Sequence, residues 1–458
     1  MRTTAARYVD GDRGRDREAL SATDQIPERV SLRDAYRFFG PLLLMAELMM
    51  ISHAIIAGSL ARMPDPVSAI AAYSVAFFFH TTFGSPLWAC QMVSISFIPT
   101  RASVRRMLKF SFVIMCAIGW AWVALGITPL GDWLFGSVFG LGPEIVPAAK
   151  DSILVMTLML PTVLLRSVMY ALMMRARKTL LITYGTILRL GSLVLAIWAV
   201  SQFIEGAVVG AWALILCIAC ETTYAVVAGW PLYRRLPEDD GKLAPYREIW
   251  SFSWPIMIMH ATEHGVNFVM SLFLARLPRP EVAVAVFSVI DSVAKVLLSP
   301  LRNLTVTVQS LLNHKRDIQV LTVFCVQVTA VFGVLMSLFF FPSLNDFTLV
   351  EVMGLSRELT NYAGVALGIC VGLALSMGAA ASARGLLIAC RATKVLAISS
   401  AARLAAVVAV GAIAVQLGFN NGAVMGITAL IAAFATESAV LIIRIGQLRT
   451  RGTLSPGR

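Results

Sequence analysis

Apolar residues fill most of this chain, and polar ones arrive in short breaks. The sequence therefore divides into about twelve apolar stretches, each near or above the ~20 residues a helix needs to cross a bilayer. They run over 36–60, 67–99, 107–130, 148–174, 179–200, 206–231, 249–275, 281–312, 318–341, 358–389, 394–416 and 421–444. Two exceed a simple crossing and are expected to kink or tilt. Within 281–312 the polar residues Ser288, Asp291, Ser292, Lys295, Ser299, Arg302, Asn303 and Gln309 recur at steps of three, four and seven, which predicts one helical face. Ionisable side chains at mid-bilayer need a partner or a wet cavity, so this helix is expected to line a pathway. A competing reading lets Asp291 and Lys295, four residues apart, simply neutralise each other. That reading leaves Arg302, Asn303 and Gln309 unexplained.

The pattern also repeats. Arg33, Pro41, Ala61-Arg62-Met63-Pro64 and Ser85-Pro86-Leu87 recur at one constant offset as Arg247, Pro255, Ala275-Arg276-Leu277-Pro278 and Ser299-Pro300-Leu301. Further on, Arg175, Lys178, Gly206-Ala207-Val208 and Glu221 recur as Arg391, Lys394, Gly422-Ala423-Val424 and Glu437, at an offset longer by two. Six spans per half is an even number, so both halves enter the membrane in the same direction, with a binding site expected where they meet. The expected organisation is a disordered tail over 1–31, a six-helix lobe over 32–232, a polar linker over 233–248, a second six-helix lobe over 249–449 and a short tail over 450–458.

Composition agrees with this class. The chain has 458 residues, 58% hydrophobic and 14% charged, with a mean hydropathy of +0.78. A net charge of +12 invites a nucleic-acid reading, but the placement of the charges argues for topology. The two tails and the loops on their side carry 26 Lys and Arg, counting Arg444 at the end of the last span, whereas the opposite loops carry five, namely Arg62, Lys150, Arg276, Arg279 and Arg357. By the positive-inside rule both termini are expected in the cytoplasm. The Arg-rich start has no apolar core and does not read as a cleavable signal. Cys217 and Cys220 form a lone CxxC inside a span and read as packing residues.

Several polar groups inside spans are candidates for function. The first span carries Glu47 and His53, and the second carries His80, Thr81 and Gln91 beside a Gly84-Ser85-Pro86 break, where freed backbone groups gather at pathways. The seventh carries His260, Glu263, His264 and Asn267. The HxxEH pattern there can hold a metal in a suitable soluble domain, but a third ligand is lacking, so no metal and no cofactor are expected. Arg189 with Glu221, and Arg403 with Glu437, occupy matching depths in the two halves and are expected to form structural ion pairs. Arg166 and Arg384 add positive charge at intermediate depth, with snorkelling to the interface as the alternative. Lys295, Arg302 and Asp291 stand where the first half has Thr81, Trp88 and Phe77, so a cavity between the halves would be electrically lopsided.

Taken together, Phe38-Phe39-Gly40-Pro41, the run Tyr246 to Pro255, Arg403 opening an apolar segment, and Gly422-Ala423 followed by Phe434-Ala435-Thr436-Glu437-Ser438 resemble the progressive ankylosis (ANKH) protein family. That family belongs to the multidrug/oligosaccharidyl-lipid/polysaccharide (MOP) exporter superfamily, which also holds the multidrug and toxin extrusion (MATE) transporters. The resemblance implies an all-α polytopic membrane protein of about twelve helices in two parallel six-helix lobes. It further implies export of small anions such as citrate, pyrophosphate or nucleotides by alternating access between the two lobes. The Arg- and Ala-rich sequence and short tail point to a bacterial inner membrane, and a monomeric, non-enzymatic protein is expected. On that reading Lys295, Arg302, Asn303, Asp291, Arg166, Asn267, His80 and Gln91 bind substrate, while Glu47, His53, His260, Glu263 and His264 serve a proton or sodium coupling step. The rival readings are a cation-coupled multidrug antiporter, a flippase for a lipid-linked saccharide, and an intramembrane metalloenzyme.

Overall fold

The computed structural model describes residues 29–139, 141–239, 241, 243–452 and 454, so the expected tails lie largely outside the described residues. Among these residues the regular elements are all helical. The first half contains α1 (Leu32–Leu60), α2 (Pro66–Phe83), α3 (Ser85–Phe97), α4 (Arg101–Ile127), α5 (Val146–Thr157), α6 (Met159–Arg175), α7 (Thr179–Val200) and α8 (Ala207–Arg235). The second half contains α9 (Tyr246–Leu274), α10 (Pro280–Leu298), α11 (Asn303–Leu311), α12 (Asp317–Ser337), α13 (Ala366–Ala389), α14 (Lys394–Gln416) and α15 (Gly422–Thr450). Counting α5–α6 and α10–α11 as single segments, ten are long and apolar enough to cross a membrane. The other two predicted spans, 67–99 and 249–275, are helical as well: one is split at Gly84 into α2 and α3, and the other is α9.

Local chemistry sets the helix ends. Ser31 and Asp34 close a capping box on α1, Thr100 and Ser103 do so on α4, and Asp65 and Asn421 cap α2 and α15. At Gly84 a side chain would meet the His80 carbonyl at 2.4 Å and the Trp122 ring at 3.0 Å, so only glycine fits the break. The matching break in the second half is a 3₁₀ turn over Ser299–Arg302, where Pro300 lacks the N–H that would continue the α-helical ladder.

The repeat extends to the backbone, with one correction to its register. Arg177 and Arg391 both adopt φ of +57° in the turn before the fifth span of each half, and their separation equals that of Pro41 and Pro255. Arg391 therefore matches Arg177 rather than Arg175, and Lys394 matches Leu180 rather than Lys178. Short π-helical turns at Trp133–Val138 and Phe347–Val352 keep the same offset. Helices α7 and α14 end at Val200 and Gln416, where the offset is longer by two, so the two extra residues enter α14 beyond Arg403.

The halves meet differently at their two ends. From mid-depth to the end carrying the linker, the contact is polar: Asn303 Nδ2 donates to Leu42 O at 2.8 Å, Gln309 Nε2 to Met92 O at 2.6 Å, and Tyr36 Oη to Gln327 Oε1 at 3.0 Å. Phe97 and Phe252 add an edge-to-face contact there, with centroids 5.1 Å apart. Towards the other end the aromatic contacts are Phe268 against Phe78 and against Phe139, each at 5.9 Å. Outward faces are apolar, as hydrocarbon requires, for example Val323, Val326, Val331 and Val334 on α12 and Leu188, Val194, Leu195 and Trp198 on α7.

Candidate functional site

Helix α10 breaks that rule. It buries Ala283, Val286, Phe287, Ile290, Ala294 and Leu298, while its exposed face carries Ser288, Ser292 and Lys295. In a lipid-facing position such a face would strand hydroxyls and an ammonium in hydrocarbon, although Val296 is exposed beside them. The Lys295 side chain is 46% exposed and Arg302, just past the break, 41%.

The single continuous stripe expected from the sequence is cut here. The 3₁₀ turn over Ser299–Arg302 rotates the helix beyond it, so Asn303 and Gln309 leave the exposed face and donate instead to main-chain carbonyls of the first half. Asp291 is also off the exposed edge: its carboxylate pairs with Lys295 and accepts from Asn267 Nδ2 at 3.0 Å. The neutralising pair Asp291–Lys295 is thus formed beside the exposed hydroxyls of Ser288 and Ser292.

Behind Arg302 lies a chain of buried charge. Arg302 Nε is 3.0 Å from Glu263 Oε1, yet without hydrogen-bond geometry. Glu263 Oε2 accepts from Arg384 Nη1 at 2.8 Å, and Arg384 grips Glu437 with two bonds of 2.8 and 2.7 Å. Arg403 Nη1 donates to the same Glu437 at 2.7 Å, and its Nη2 donates to Met259 O and Thr262 Oγ1. Arg384 is therefore a buried, bidentate partner and does not snorkel, because two carboxylates within reach outweigh the distance to the interface. Counting Lys295 and Asp291, four cations stand against three carboxylates, and Arg302 is the member least tied.

The first half holds a smaller cluster. Arg166 Nη1 donates to Glu221 Oε2 at 2.6 Å, Tyr170 Oη to Glu221 Oε1 at 2.7 Å, and Arg189 Nη1 lies 3.8 Å from the same carboxylate. Expected as a substrate contact, Arg166 is instead a mostly buried ion-pair partner, since Glu221 has no closer cation. Tyr170 was missed in the sequence, although it occupies the place in the first half that Arg384 has in the second and makes the equivalent bond to the last-span glutamate.

The remaining candidates are dispersed. His264 stands against the other half, its ring edge-on to Trp88 at 6.4 Å, whereas Glu263 is buried among Arg302, Arg384 and Arg403 of its own half and Glu47 lies half-buried between exposed Leu44 and Ile51 on α1. Drawn into one half are His53, tilted against Phe77 at 4.9 Å, and Gln91, which donates to Met174 Sδ at 3.5 Å. His80 is fully buried among Trp88, Trp122 and Phe77, with neither ring nitrogen bonded among the described residues, so it is not an open contact for substrate. His260 Nε2 is likewise buried without a partner among the described residues. Among the described residues, no three or more His, Cys, Asp or Glu are grouped to hold a metal ion.

Comparison with solved structures places this arrangement on a known fold. The chain is similar to the eukaryotic MATE transporter AtDTX14 (TM-score 0.74, 13% identity, covering 92% of this chain and 97% of that one). It is also similar to a MOP superfamily transporter from Pyrococcus furiosus (0.69, 14%, 93% and 97%) and to an outward-facing multidrug resistance MATE family transporter (0.67, 16%, 93% and 97%). No family model and no curated protein matches the sequence. At such identities the likeness carries the architecture alone: the chain is an all-α polytopic membrane protein with the MATE fold.

Proposed function

We propose that the protein is a secondary transporter that moves a small anionic solute between its two halves by alternating access, with Arg302 and Lys295 as the first contacts of the anion. The carrying observation is the state of Arg302. Its side chain is 41% exposed on a face that we read as meeting water, it sits beside a carboxylate that a second arginine already satisfies, and no hydrogen bond holds its guanidinium among the described residues. A guanidinium free to present parallel N–H groups suits a carboxylate or phosphate bidentately, and charge attraction in a low-dielectric cleft selects for sign. The matched structures are described as transporters, and the one from Pyrococcus furiosus is described as having a binding pocket of reverse polarity. The fold is therefore compatible with more than one sign of cargo. On this reading the protein is an ANKH-like exporter of two six-helix lobes in a cytoplasmic membrane, with both ends inside.

The test is efflux from vesicles reconstituted with purified protein and loaded with labelled citrate, pyrophosphate or nucleotide. Arg302→Ala and Lys295→Ala are expected to slow efflux of the transported anion, with Arg302→Lys intermediate. Unchanged efflux in both alanine variants removes the proposal.

One observation favours a second reading, a cation antiporter. Glu47 is a half-buried carboxylate inside a span with no ion-pair or hydrogen-bond partner among the described residues, which is how a proton- or cation-exchanging acid is placed. Protection of the protein against thermal unfolding by organic cations, lost in Glu47→Gln, would favour it over the anion reading.

A further inference from the structure

At the end of the molecule that carries the linker, a cavity of about 230 Å³ opens where the two halves meet. This is far above the ~10–15 Å³ that a single water needs. Phe97 of α3 forms one wall, Phe252 and Val395 form others, and three cations, Arg391, Lys394 and Arg444, line it together with one carboxylate, Glu248. Arg391 is committed. Its Nη1 donates to Glu248 Oε1 at 2.6 Å and its guanidinium lies 4.8 Å from the Phe97 ring centre. Lys394 has no ion-pair or hydrogen-bond partner among the described residues, and Arg444 has only Gln447 Oε1 at 3.2 Å.

The internal repeat separates the ordinary part of this pocket from the extra part. In the corrected register Arg391 and Glu248 correspond to Arg177 and Asp34, so a cation and an acid at these two places belong to both halves. Lys394 and Arg444 correspond to Leu180 and Ala228. A requirement common to both halves, such as membrane orientation, does not account for two unpaired cations turned into one cavity. Lys394 also opens the 23-residue helix α14, whose free N–H groups add positive potential at the same spot.

From this we infer that the cavity binds a phosphate-ester anion, its phosphate held by Lys394 and Arg444 and its apolar part against Phe97, Phe252 and Val395. Because Phe97 belongs to the first half and the cations to the second, the ligand makes its full set of contacts only while the halves are closed at this end, and it favours that closed state by the difference in its affinity for the two states. The chemistry is the same for the headgroup of an anionic phospholipid at the interface and for a soluble phosphate compound.

Native mass spectrometry of the full chain, with phosphatidylglycerol and phosphatidylcholine supplied together, tests the site. The wild type is expected to retain phosphatidylglycerol in excess, and Lys394→Gln with Arg444→Gln to lose roughly fivefold in affinity for each charge removed. Displacement of the lipid by millimolar inorganic phosphate supports the site with a soluble ligand. Retention of the lipid against phosphate supports it with a headgroup. Lys394→Arg with Arg444→Lys checks folding and should keep the excess. If the double glutamine variant holds phosphatidylglycerol as the wild type does, and phosphate shifts the melting of both proteins equally, the inference is overturned. Neither result depends on what the central face carries.

Discussion

The two halves share a backbone and divide the chemistry. At one repeat-related position after another, a neutral or aromatic residue in the first half answers to a charged one in the second: Met49 and Glu263, Phe77 and Asp291, Trp88 and Arg302, Tyr170 and Arg384. The bonds keep their geometry while changing their nature. His53 leans on Phe77 where Asn267 donates to Asp291, and Tyr170 donates to Glu221 where Arg384 grips Glu437. The lesson is that the shared positions, Arg189/Glu221 and Arg403/Glu437, mark what this architecture uses in both halves. Among the unshared ones, Arg302, Glu263 and Arg384 form one connected chain of charge in the second half.

The comparison can be broken most forcefully at the last-span glutamates. Glu437 compensates both Arg384 and Arg403 in a fully buried site, so Glu437→Ala should destabilise by about 3–5 kcal/mol. Glu221→Ala should cost less, since Arg166 keeps some exposure and Arg189 stands farther off. Thermal unfolding in detergent measures both, and equal losses would mean that the halves are not differently loaded.

A smaller effect on stability, with a large one on transport, is expected at Arg302. Glu263 retains Arg384 when Arg302 is removed, so Arg302→Ala should stay within about 1 kcal/mol of wild type. A collapse in stability would make Arg302 a structural clamp and undo its assignment to cargo. Asp291→Asn releases Lys295 from a pair between neighbouring turns and should cost about 0.3–0.5 kcal/mol. Its sharper readout is faster anion efflux, because one more cation becomes free.

The smallest effect concerns the connection between the halves. Glu238 is fully exposed, and its bond to Arg105, aided by Arg101, holds its carboxyl below the ordinary carboxylate range. A lowered value in the folded state contributes stability above the unfolded value and loses it as acid titrates the group. Protease nicking within residues 236–245 should therefore rise only in acid, and Glu238→Gln should abolish that rise.

Much of this was legible in the sequence. Apolar length gave the spans, and the recurrence of Ser-Pro-Leu and Arg/Glu gave the doubled architecture, because hydrocarbon tolerates few exceptions to either pattern. The break at Ser299-Pro300 was legible as a proline but not as a rotation. Side-chain spacing counts residues on an ideal helix, and a 3₁₀ turn shifts every later residue to another face. Hence Lys295 and Arg302 stay part-exposed while Asn303 and Gln309 turn to main-chain carbonyls of the first half. The partners of Arg166 and Arg384 were hidden for a different reason. Each reaches far along the chain to the glutamate of the last span in its half, and only packing decides which carboxylate a buried arginine meets.

The amides of Asn303 and Gln309 close one end of the molecule onto carbonyl groups of the main chain, at Leu42 and Met92. A lock of that kind has its keyhole in the peptide bond itself, which no substitution at Leu42 or Met92 deletes short of bending the helix. The part of its strength that rests on these carbonyls is adjustable from the second half alone, while the side chains of Ser96, which also takes Gln309 Nε2, and of Tyr36, which donates to Gln327, let the first half tune the rest.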